Sequence, residues 1–425
     1  MVGGGTAGFG AAVAAGRAGL NVHLYEAGPK IGGVMAFCPG MPWGAAFPCG
    51  ISIGGLMAEL TDRLMGMAPP MAEVRPCALE NFGPEIQYDH DAATIAMFDM
   101  LEEARVSTHV GTTVIRPLMD GARIGGLEVF DRRGPCVVTP RIVIDCSGDG
   151  DVSARAGVPF TLGDGRGNMM AVTLSFVMED ADWSKVFAER DPYFREHAAR
   201  GIAEGRLHPD LRQLYLMKGF HENTVFCNSV AIRGVDGTRA EDVARATQEG
   251  RRRCRQLAEF LRADVPGFER ARMTQLGPTV GVRETRRLEG VHRVTGAELA
   301  AATKFEDGIV ACDNPIDDVM RGDDMTHDAI VGQGSYYTIP FRSLVPKQIE
   351  NLMFAGRIIS ADATAFASVR GMPQCMTMGQ ATGTAAALAI RDGSTVQAVD
   401  MRELVASLQT QGVRGIGGAS LTANG

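Results

Sequence analysis

The sequence lacks both an excess of basic residues and long apolar runs. Its 42 lysines and arginines are outnumbered by 50 aspartates and glutamates, which gives a formal net charge of −8. A general nucleic-acid binder usually carries a basic surface instead. No apolar run approaches the roughly 18 residues of a membrane span, and no signal peptide is visible. We therefore expect a cytoplasmic protein that neither binds nucleic acid nor spans a membrane.

The sequence also lacks paired cysteines. Its nine cysteines are scattered, with no C-x-x-C pair, so neither an iron–sulfur cluster nor a zinc site is indicated. An odd number of cysteines without a secretory context is typical of a reduced, cytoplasmic protein. We expect no bound metal.

The first 26 residues carry the clearest signal. Gly3-x-Gly5-x-x-Gly8 is followed by a helix pattern of small residues and then by an apolar strand pattern that ends at Glu26. Gly3 permits a tight turn, Gly5 lets the backbone approach a pyrophosphate, and Gly8 lets the helix pack closely on the strand. The helix N-terminus offers free N–H groups and a positive dipole end to phosphates. The pattern predicts a dinucleotide-binding unit in which Glu26 accepts hydrogen bonds from an adenosine ribose.

The first strand of this unit is short. Only Met1 and Val2 precede Gly3, whereas a strand usually has about five residues. Whether the native protein starts further upstream stays open. A shortened strand would weaken stability and cofactor retention.

Two later segments repeat the strand-then-helix pattern. An apolar strand near residues 141–144 runs into a turn rich in Gly and Asp at 145–151 and then into a helix pattern at 152–156. A second strand pattern at 352–355 ends at Gly356-Arg357, and Arg370-Gly-Met-Pro373 opens a helix of small residues. Pro373 suits the first turn of a helix, where its missing N–H costs nothing. Both segments predict further backbone contacts to the same cofactor.

The chain from about 166 to 335 has a different residue pattern, without cofactor-type motifs. It predicts a strand at 171–178, a polar helical segment at 182–216 and an amphipathic helix at 239–261 with Thr238 as its N-cap. Because the chain afterwards returns to cofactor-type motifs, this block is interpreted as an insertion. We therefore expect an α/β protein. Its parts are a discontinuous cofactor-binding domain (1–165 and 336–410), an inserted α+β domain that caps the substrate site (166–335) and a C-terminal tail (411–425).

The order of these motifs resembles the FAD-dependent oxidoreductases of the glutathione-reductase type, and more narrowly the group related to fumarate reductase and succinate dehydrogenase flavoproteins. Residues 144–151 are similar to the ATGDGD-like stretch of that family. Residues 281–287 and 339–347 are similar to segments of a bacterial group of FAD-dependent oxidoreductases. The resemblance covers nearly the whole chain. The covalent-flavin histidine motif and the catalytic threonine–glutamate pattern of fumarate reductases are not found, so those roles are not carried over.

The resemblance implies a Rossmann-like, FAD-binding fold with non-covalent FAD. The ribose would lie near Glu26, the pyrophosphate at Gly5 and Gly8, and the isoalloxazine near residues 371–380. No second GxGxxG is present, so a separate nicotinamide domain is not expected and the electron donor or acceptor stays unidentified. Homo-oligomerisation is left open. The implied cofactor contacts are Gly3, Gly5, Thr6, Ala7, Gly8, Glu26, Ala27, Gly32, Gly33, Ser147, Gly148, Asp149, Gly356, Arg357, Met372, Gln374 and Gly379.

Three residues are candidates for the chemistry: Arg283, His292 and Arg370. Flavin hydride transfer needs a proton donor or acceptor near N5 and a group that orients the substrate. An arginine suits a carboxylate, which it binds through two parallel hydrogen bonds. Structural roles remain the alternative, namely an ion pair with Glu284 or a nearby aspartate for Arg283 and a structural hydrogen bond for His292.

The predicted function is hydride transfer between flavin N5 and a small polar organic molecule such as a carboxylate, a polyol or a sugar derivative. The alternative is a flavoprotein that uses FAD without net redox, as an isomerase or a hydratase-like enzyme would. A role in RNA modification or as a structural partner is disfavoured by the net acidity.

Overall fold

The computed structural model describes residues 1–77, 79, 81–319 and 326–421. Within these ranges, each helix is too short or too polar to traverse a lipid bilayer. The helices are α1 (Thr6–Arg17), α2 (Val34–Phe37), α3 (Gly55–Met65), α4 (His90–Glu103), α5 (Asp151–Arg155), α6 (Trp183–Val186), α7 (Arg195–Ala203), α8 (Ala240–Asp264), α9 (Gly296–Ala300), α10 (Ala363–Val369), α11 (Met372–Asp392) and α12 (Met401–Thr410).

The strands form one parallel sheet and several antiparallel ones. They are β1 (His23–Glu26), β2 (Ala72–Pro76), β3 (Pro84–Tyr88), β4 (Ser107–Val110), β5 (Thr113–Asp120), β6 (Arg123–Asp131), β7 (Gly134–Val138), β8 (Val143–Asp145), β9 (Phe160–Leu162), β10 (Val172–Glu179), β11 (Leu216–Lys218), β12 (Val225–Ile232), β13 (Arg272–Leu276), β14 (Arg286–Leu288), β15 (Gly308–Cys312), β16 (Ile316–Asp318), β17 (Thr326–Asp328), β18 (Tyr337–Pro340) and β19 (Leu352–Phe354).

The parallel sheet is organised around Val2. Val2 pairs in parallel with Tyr25 of β1 on one side and with Asp145 of β8 on the other. Since β4 pairs in parallel with β1, and β19 with β8, the order is β4, β1, Val2, β8 and β19. Ligands bind at the carboxyl ends of such strands, and all three predicted cofactor motifs follow these ends.

Helices α1 and α11 pack against each other through glycines. A Cβ placed on Gly379 would overlap the carbonyl oxygen of Ala7, and one on Gly383 would overlap that of Ala11. The two backbones can approach only because neither position carries a side chain. The sequence assigned Gly379 to the cofactor, whereas the structure places it in this helix contact.

The structure has three large hydrophobic cores, one of which packs α1 against α3 and α4. A second surrounds α11, and the third lies between α8 and the antiparallel sheet β11–β12–β10–β13. Val294 and Val310, which fall in the predicted insertion, are buried in the α11 core. Val413 and Ile416 of the predicted tail are buried there as well. The insertion predicted at 166–335 therefore contributes to two cores, and residues 320–325 and 422–425 lie outside the described residues.

Several predicted elements match the structure. The strand predicted at 171–178 is β10, the helix predicted at 239–261 is α8, and the segment at 182–216 contains the short helices α6 and α7. The predicted N-cap is wrong. Arg239 occupies the N-cap position of α8 without a side-chain cap, because the Thr238 hydroxyl donates instead to Asp236, 2.6 Å away.

Candidate functional site

The N-terminus of α1 is open to a ligand. Gly5 is its N-cap, and no side chain caps the first turn, so the leading N–H groups remain free in the described structure. A Cβ on Gly5 would have only the Cα of Gly33 near it, at 3.9 Å. Gly5 also pairs in parallel with Gly32. This free backbone surface at a helix N-terminus fits a pyrophosphate.

Gly3 and Gly8 allow the helix to cross the strand closely. Gly3 has a φ of +91°. A Cβ on Gly3 would overlap the carbonyl group of Cys146, and one on Gly8 would overlap the carbonyl oxygen of Gly3. Both glycines thus set the position of the α1 N-terminus. Thr6 and Ala7 follow directly in its first turn, and Ala7 is buried.

Glu26 ends β1 beside this helix. Its Oε2 accepts a hydrogen bond from the amide of Gly4 and its Oε1 one from the amide of Gly28, both at 2.6 Å. A carboxylate oxygen has two lone pairs, so Glu26 can also accept hydrogen bonds from ribose hydroxyls. Ala27 is exposed next to it.

The turn after β8 is organised by Asp145. This fully buried carboxylate accepts hydrogen bonds from the hydroxyl groups of Ser147 and Ser153, each at 2.7 Å, and from their amides. The Ser147 hydroxyl in turn accepts from the amide of Gly150 at 3.0 Å. Ser147 therefore holds the shape of the turn, which leaves Gly148 and Asp149 at its tip.

Asp149 joins the second and third motifs. Its Oδ1 lies 2.6 Å from Nη2 of Arg357 and 3.0 Å from the hydroxyl of Thr285. A Cβ on Gly148 would lie 3.2 Å from Nε of Arg357, so the guanidinium covers this glycine. Gly356 precedes Arg357 with a φ of +93°, close to Ala7. The structure thus brings Gly148, Asp149, Gly356 and Arg357 together.

A cavity of about 650 Å³ lies between these motifs and the antiparallel sheet. We call it the central cavity. The cofactor-type side of its lining includes Gly33, Arg357, Gly371 and Met372, the last at the start of the 21-residue helix α11. The opposite side includes Thr173, Ser175, Met217, Asn228 and Arg283.

Arg283 and Arg370 both line the central cavity. Nη2 of Arg370 lies 2.7 Å from Oδ2 of Asp317 and 2.8 Å from its carbonyl oxygen. Nη1 of Arg283 donates to the hydroxyl of Thr173 at 2.6 Å and to the carbonyl of Ala171 at 3.1 Å. The ion pair considered for Arg283 with Glu284 does not form, because Glu284 pairs with Arg287.

Among the arginines that line the central cavity, Arg283 has the least compensated charge. In the part of the chain that the structure describes, no carboxylate forms an ion pair with it. Burial lowers the pKa of its guanidinium, and the negative charge of Asp317 acts in the opposite direction. A guanidinium stays protonated in proteins, so a cationic group faces the cavity.

His292 lies outside the central cavity. Its Nε2 is 3.1 Å from Oε1 of Glu298, and its ring packs edge-on against Phe305. Glu298 belongs to the capping box that starts α9 at Thr295. The proton-transfer role expected for His292 is therefore replaced by a structural one.

Gln374 also lies away from the cavity lining. It is fully buried, and its Nε2 donates to the carbonyl of Ala45 at 2.6 Å. Of the positions expected in the first turn of α11, Met372 lines the cavity and Gln374 fixes the neighbouring loop.

Sequence reasoning missed most polar residues of the opposite wall, namely Thr173, Ser175, Asn228, Tyr215 and Asp317. The sequences of β10 and β12 contain a pattern that could have identified these residues. Thr173 and Ser175 occupy alternate positions of an otherwise apolar strand, and Asn228 interrupts the apolar run of β12. Alternate residues of a strand point to one face, so these polar residues mark the face that lines the cavity.

The sequence matches the family model for FAD dependent oxidoreductases over residues 1–408. The chain therefore belongs to this family. It is an FAD-dependent oxidoreductase with a mixed α/β FAD-binding fold, and its cofactor is FAD. None of the curated protein sequences matches it.

Two solved structures with TM-scores of 0.50 share this fold at low sequence identity, and a third is similar with a lower score. The p-nitrophenol 4-monooxygenase PnpA from Pseudomonas putida DLL-E4 is 13% identical, with a TM-score of 0.50 over 96% of this chain and 86% of that one. A ternary complex of aklavinone-11 hydroxylase with FAD and aklavinone is 12% identical, with a TM-score of 0.50 over 92% of this chain and 62% of that one. A geranylgeranyl bacteriochlorophyll reductase-like protein from Thermoplasma acidophilum is 13% identical, with a TM-score of 0.49 over 97% of this chain and 83% of that one.

Proposed function

We propose that this FAD-dependent oxidoreductase transfers a hydride between flavin N5 and an organic substrate that is held in the central cavity. The observation that carries the proposal is the position of this cavity. It lies between the start of α11, represented by Gly371 and Met372, and the side formed by Thr173 of β10 and Arg283 of the segment after β13. Ligand sites commonly form where two such units meet.

The proposed FAD site runs along the carboxyl ends of the parallel strands. Glu26 would hold the ribose, the α1 N-terminus at Gly5 the pyrophosphate, and the start of α11 at Met372 the flavin ring. The positive end of the α11 dipole would favour negative charge on the flavin. Bound there, FAD supplies the group that accepts or donates a hydride.

The protein's own residues would bind and orient the substrate. Arg370 is fixed by Asp317 at the edge of the cavity. Arg283 is fixed through Nη1 by Thr173 and Ala171, and we assign it to the substrate. The sheet β11–β12–β10–β13 would exclude water from the reacting atoms.

The division of the chain into domains is also a proposal. It comprises a cofactor-binding domain (1–165 and 336–410), a domain that caps the substrate site (166–335) and a C-terminal tail (411–425).

Two finer assignments are also proposals. The order of the parallel strands and the order of the three motifs support a glutathione-reductase type of fold. The similarity of residues 144–151 to the ATGDGD-like stretch supports a relationship to fumarate reductase flavoproteins. PnpA and aklavinone-11 hydroxylase are named for reactions on aromatic compounds, so aromatic acids join carboxylates, polyols and sugars as substrates to be tested.

Anaerobic reduction of the flavin tests the proposed function. Purified protein is mixed without oxygen with single carboxylic acids, aromatic acids, polyols or sugars, and loss of the visible flavin absorbance is followed. We expect bleaching with members of one compound class. Chemically reduced protein should conversely be reoxidised by the matching product. Turnover of a substrate without any change of the flavin's redox state would instead support the isomerase or hydratase-like alternative.

A further inference from the structure

We propose that the substrate is an amphipathic monocarboxylate, with its carboxylate bound by Arg283 and its apolar body lying against one wall of the central cavity. This inference rests on the proposed function and narrows the substrate class given there. It replaces the small polar molecule expected from the sequence. Three observations carry it: the charge around Arg283, the polar residues of strands β10 and β12, and the apolar character of the remaining lining.

The cationic groups of the central cavity differ in how they are neutralised. Arg357 pairs with Asp149 at 2.6 Å and Arg370 with Asp317 at 2.7 Å, whereas Arg283 has no ion-pair partner among the residues described. Its two hydrogen bonds there both use Nη1, which leaves Nε and Nη2 for a ligand. A partly buried, unpaired charge is costly, and a carboxylate matches the fork of a guanidinium.

The sheet face near Arg283 is polar. Thr173 and Ser175 of β10 line the cavity at alternate positions, and Asn228 lines it from the neighbouring strand β12. We call these three residues the polar stripe. Thr173 already holds Arg283, and the side chain of Asn228 makes no hydrogen bond within the described ranges. Asn228 can therefore donate to a bound carboxylate.

The rest of the lining is mostly apolar. Phe37, Met41, Phe82 and Met217 line the cavity, and we call them the apolar wall. Val177, two positions beyond Ser175 on the same strand, packs with Met217 and Met41 behind this wall. Each methylene of a ligand that this wall removes from water adds to its affinity. The side chain of Glu85 also lines the cavity, and a second carboxylate on the ligand would meet it as a like charge.

Binding without turnover tests the inference. FAD-loaded protein is titrated calorimetrically with butyrate, octanoate, octanamide and octanedioate. Octanoate should bind about tenfold or more tightly than butyrate, because four further methylenes are buried. It should also bind about tenfold or more tightly than octanamide, which lacks the charge that pairs with Arg283, and more tightly than octanedioate. Equal affinity for butyrate and octanoate, or for acid and amide, would overturn the inference.

Matched variants identify the binding residue. Arg283→Met should abolish the preference for octanoate over octanamide, while Arg272→Met should keep it. Arg272 is a suitable control because it pairs with Asp180 on the exposed surface, with 69% of its side chain accessible. Asn228→Asp, which adds a negative charge to the polar stripe, should weaken octanoate about tenfold without loss of FAD. An unchanged octanoate affinity in both Arg283→Met and Asn228→Asp would also overturn the inference.

These experiments separate the substrate class from the reaction. Octanoate binding that follows the expected pattern, with no compound bleaching the flavin, supports the inference and contradicts the proposed hydride transfer. Bleaching by polyols or sugars, together with an octanoate affinity that does not change in Arg283→Met, supports the hydride transfer and overturns the inference.

Discussion

Arg283 and Arg370 line one cavity, yet only Arg370 has a carboxylate partner within the described residues, with its Nη2 2.7 Å from Oδ2 of Asp317. The two guanidinium groups come from different segments, one from the segment after β13 and one from the turn between α10 and α11. This arrangement leaves one cation available to a substrate and keeps the other in an ion pair with the protein.

Arg283→Lys should keep the flavin spectrum and reduce turnover. Lysine retains the positive charge but loses the planar fork that binds a carboxylate through two hydrogen bonds. We expect a fall in kcat/KM of about tenfold or more, equivalent to one charge-assisted hydrogen bond. Steady-state kinetics with a substrate found by flavin bleaching measures it, and Arg272→Lys is the control. Unchanged kcat/KM would remove Arg283 from the site.

Glu26→Ala should weaken FAD retention. Losing a charged hydrogen-bond acceptor typically costs about 1.5–3 kcal/mol, and the amides of Gly4 and Gly28 would lose their shared partner. Equilibrium dialysis of FAD measures the loss, with Glu259→Ala, an exposed residue of α8, as the control. A variant that binds FAD as tightly as the parent would show that Glu26 only closes the end of β1.

The FAD should be bound without a covalent link. Because the sequence lacks the covalent-flavin histidine motif, acid precipitation of the yellow protein should leave free FAD in the supernatant. Absorbance of supernatant and pellet after centrifugation measures the distribution. Pigment that remains with the precipitated chain would contradict the prediction.

Gly379→Ala should destabilise the fold strongly. The added Cβ would overlap the carbonyl oxygen of Ala7, and backbone atoms in a helix contact cannot move aside as a flexible side chain can. Overpacking of this kind costs about 1–3 kcal/mol or more. Thermal unfolding of the FAD-loaded protein measures it. Gly332→Ala is the control, because a Cβ there meets nothing within 4 Å. Equal melting temperatures would contradict the packing role.

Local patterns predicted the backbone geometry of the glycine-rich motif but not the side chains that line the central cavity. Gly3, Gly5 and Gly8 could be assigned because their roles depend on a strand and helix that are adjacent in the chain. The neighbourhood of Arg283 depends on β10, which lies far away in sequence and reaches it only in the folded sheet. The structure places His292 outside the central cavity, where it pairs with Glu298. Glu298 also caps the start of α9, and the sequence alone does not show whether a histidine contacts a helix start or a substrate.

Sequence patterns predicted several elements between 171 and 261, but not the core to which each buried strand belongs. The antiparallel sheet and α8 follow from alternating and amphipathic patterns between 171 and 261. Strand β15 has the apolar sequence that is typical of any buried strand. It pairs with β18 and is buried in the α11 core. Sequence periodicity reports that a strand is buried, not which neighbour buries it.

Asp317→Asn should change which acids bind. The substitution removes the charge that neutralises Arg370 but keeps a side chain of the same size, and the Asp317 carbonyl that accepts from Arg370 Nη2 is unaffected. The cavity would then contain two cations without carboxylate partners, so a second anionic group on the ligand would gain a partner. We expect the affinity for octanedioate to rise by about tenfold relative to octanoate, as one charge-assisted hydrogen bond allows.

Calorimetric titration of both acids measures the ratio of the two affinities. The control is Asp180→Asn, because Asp180 pairs with the exposed Arg272. If Asp317→Asn leaves the ratio unchanged while FAD content and melting temperature match the parent, Arg370 is not within reach of the bound acid, and Arg283 alone would then recognise the substrate's charge.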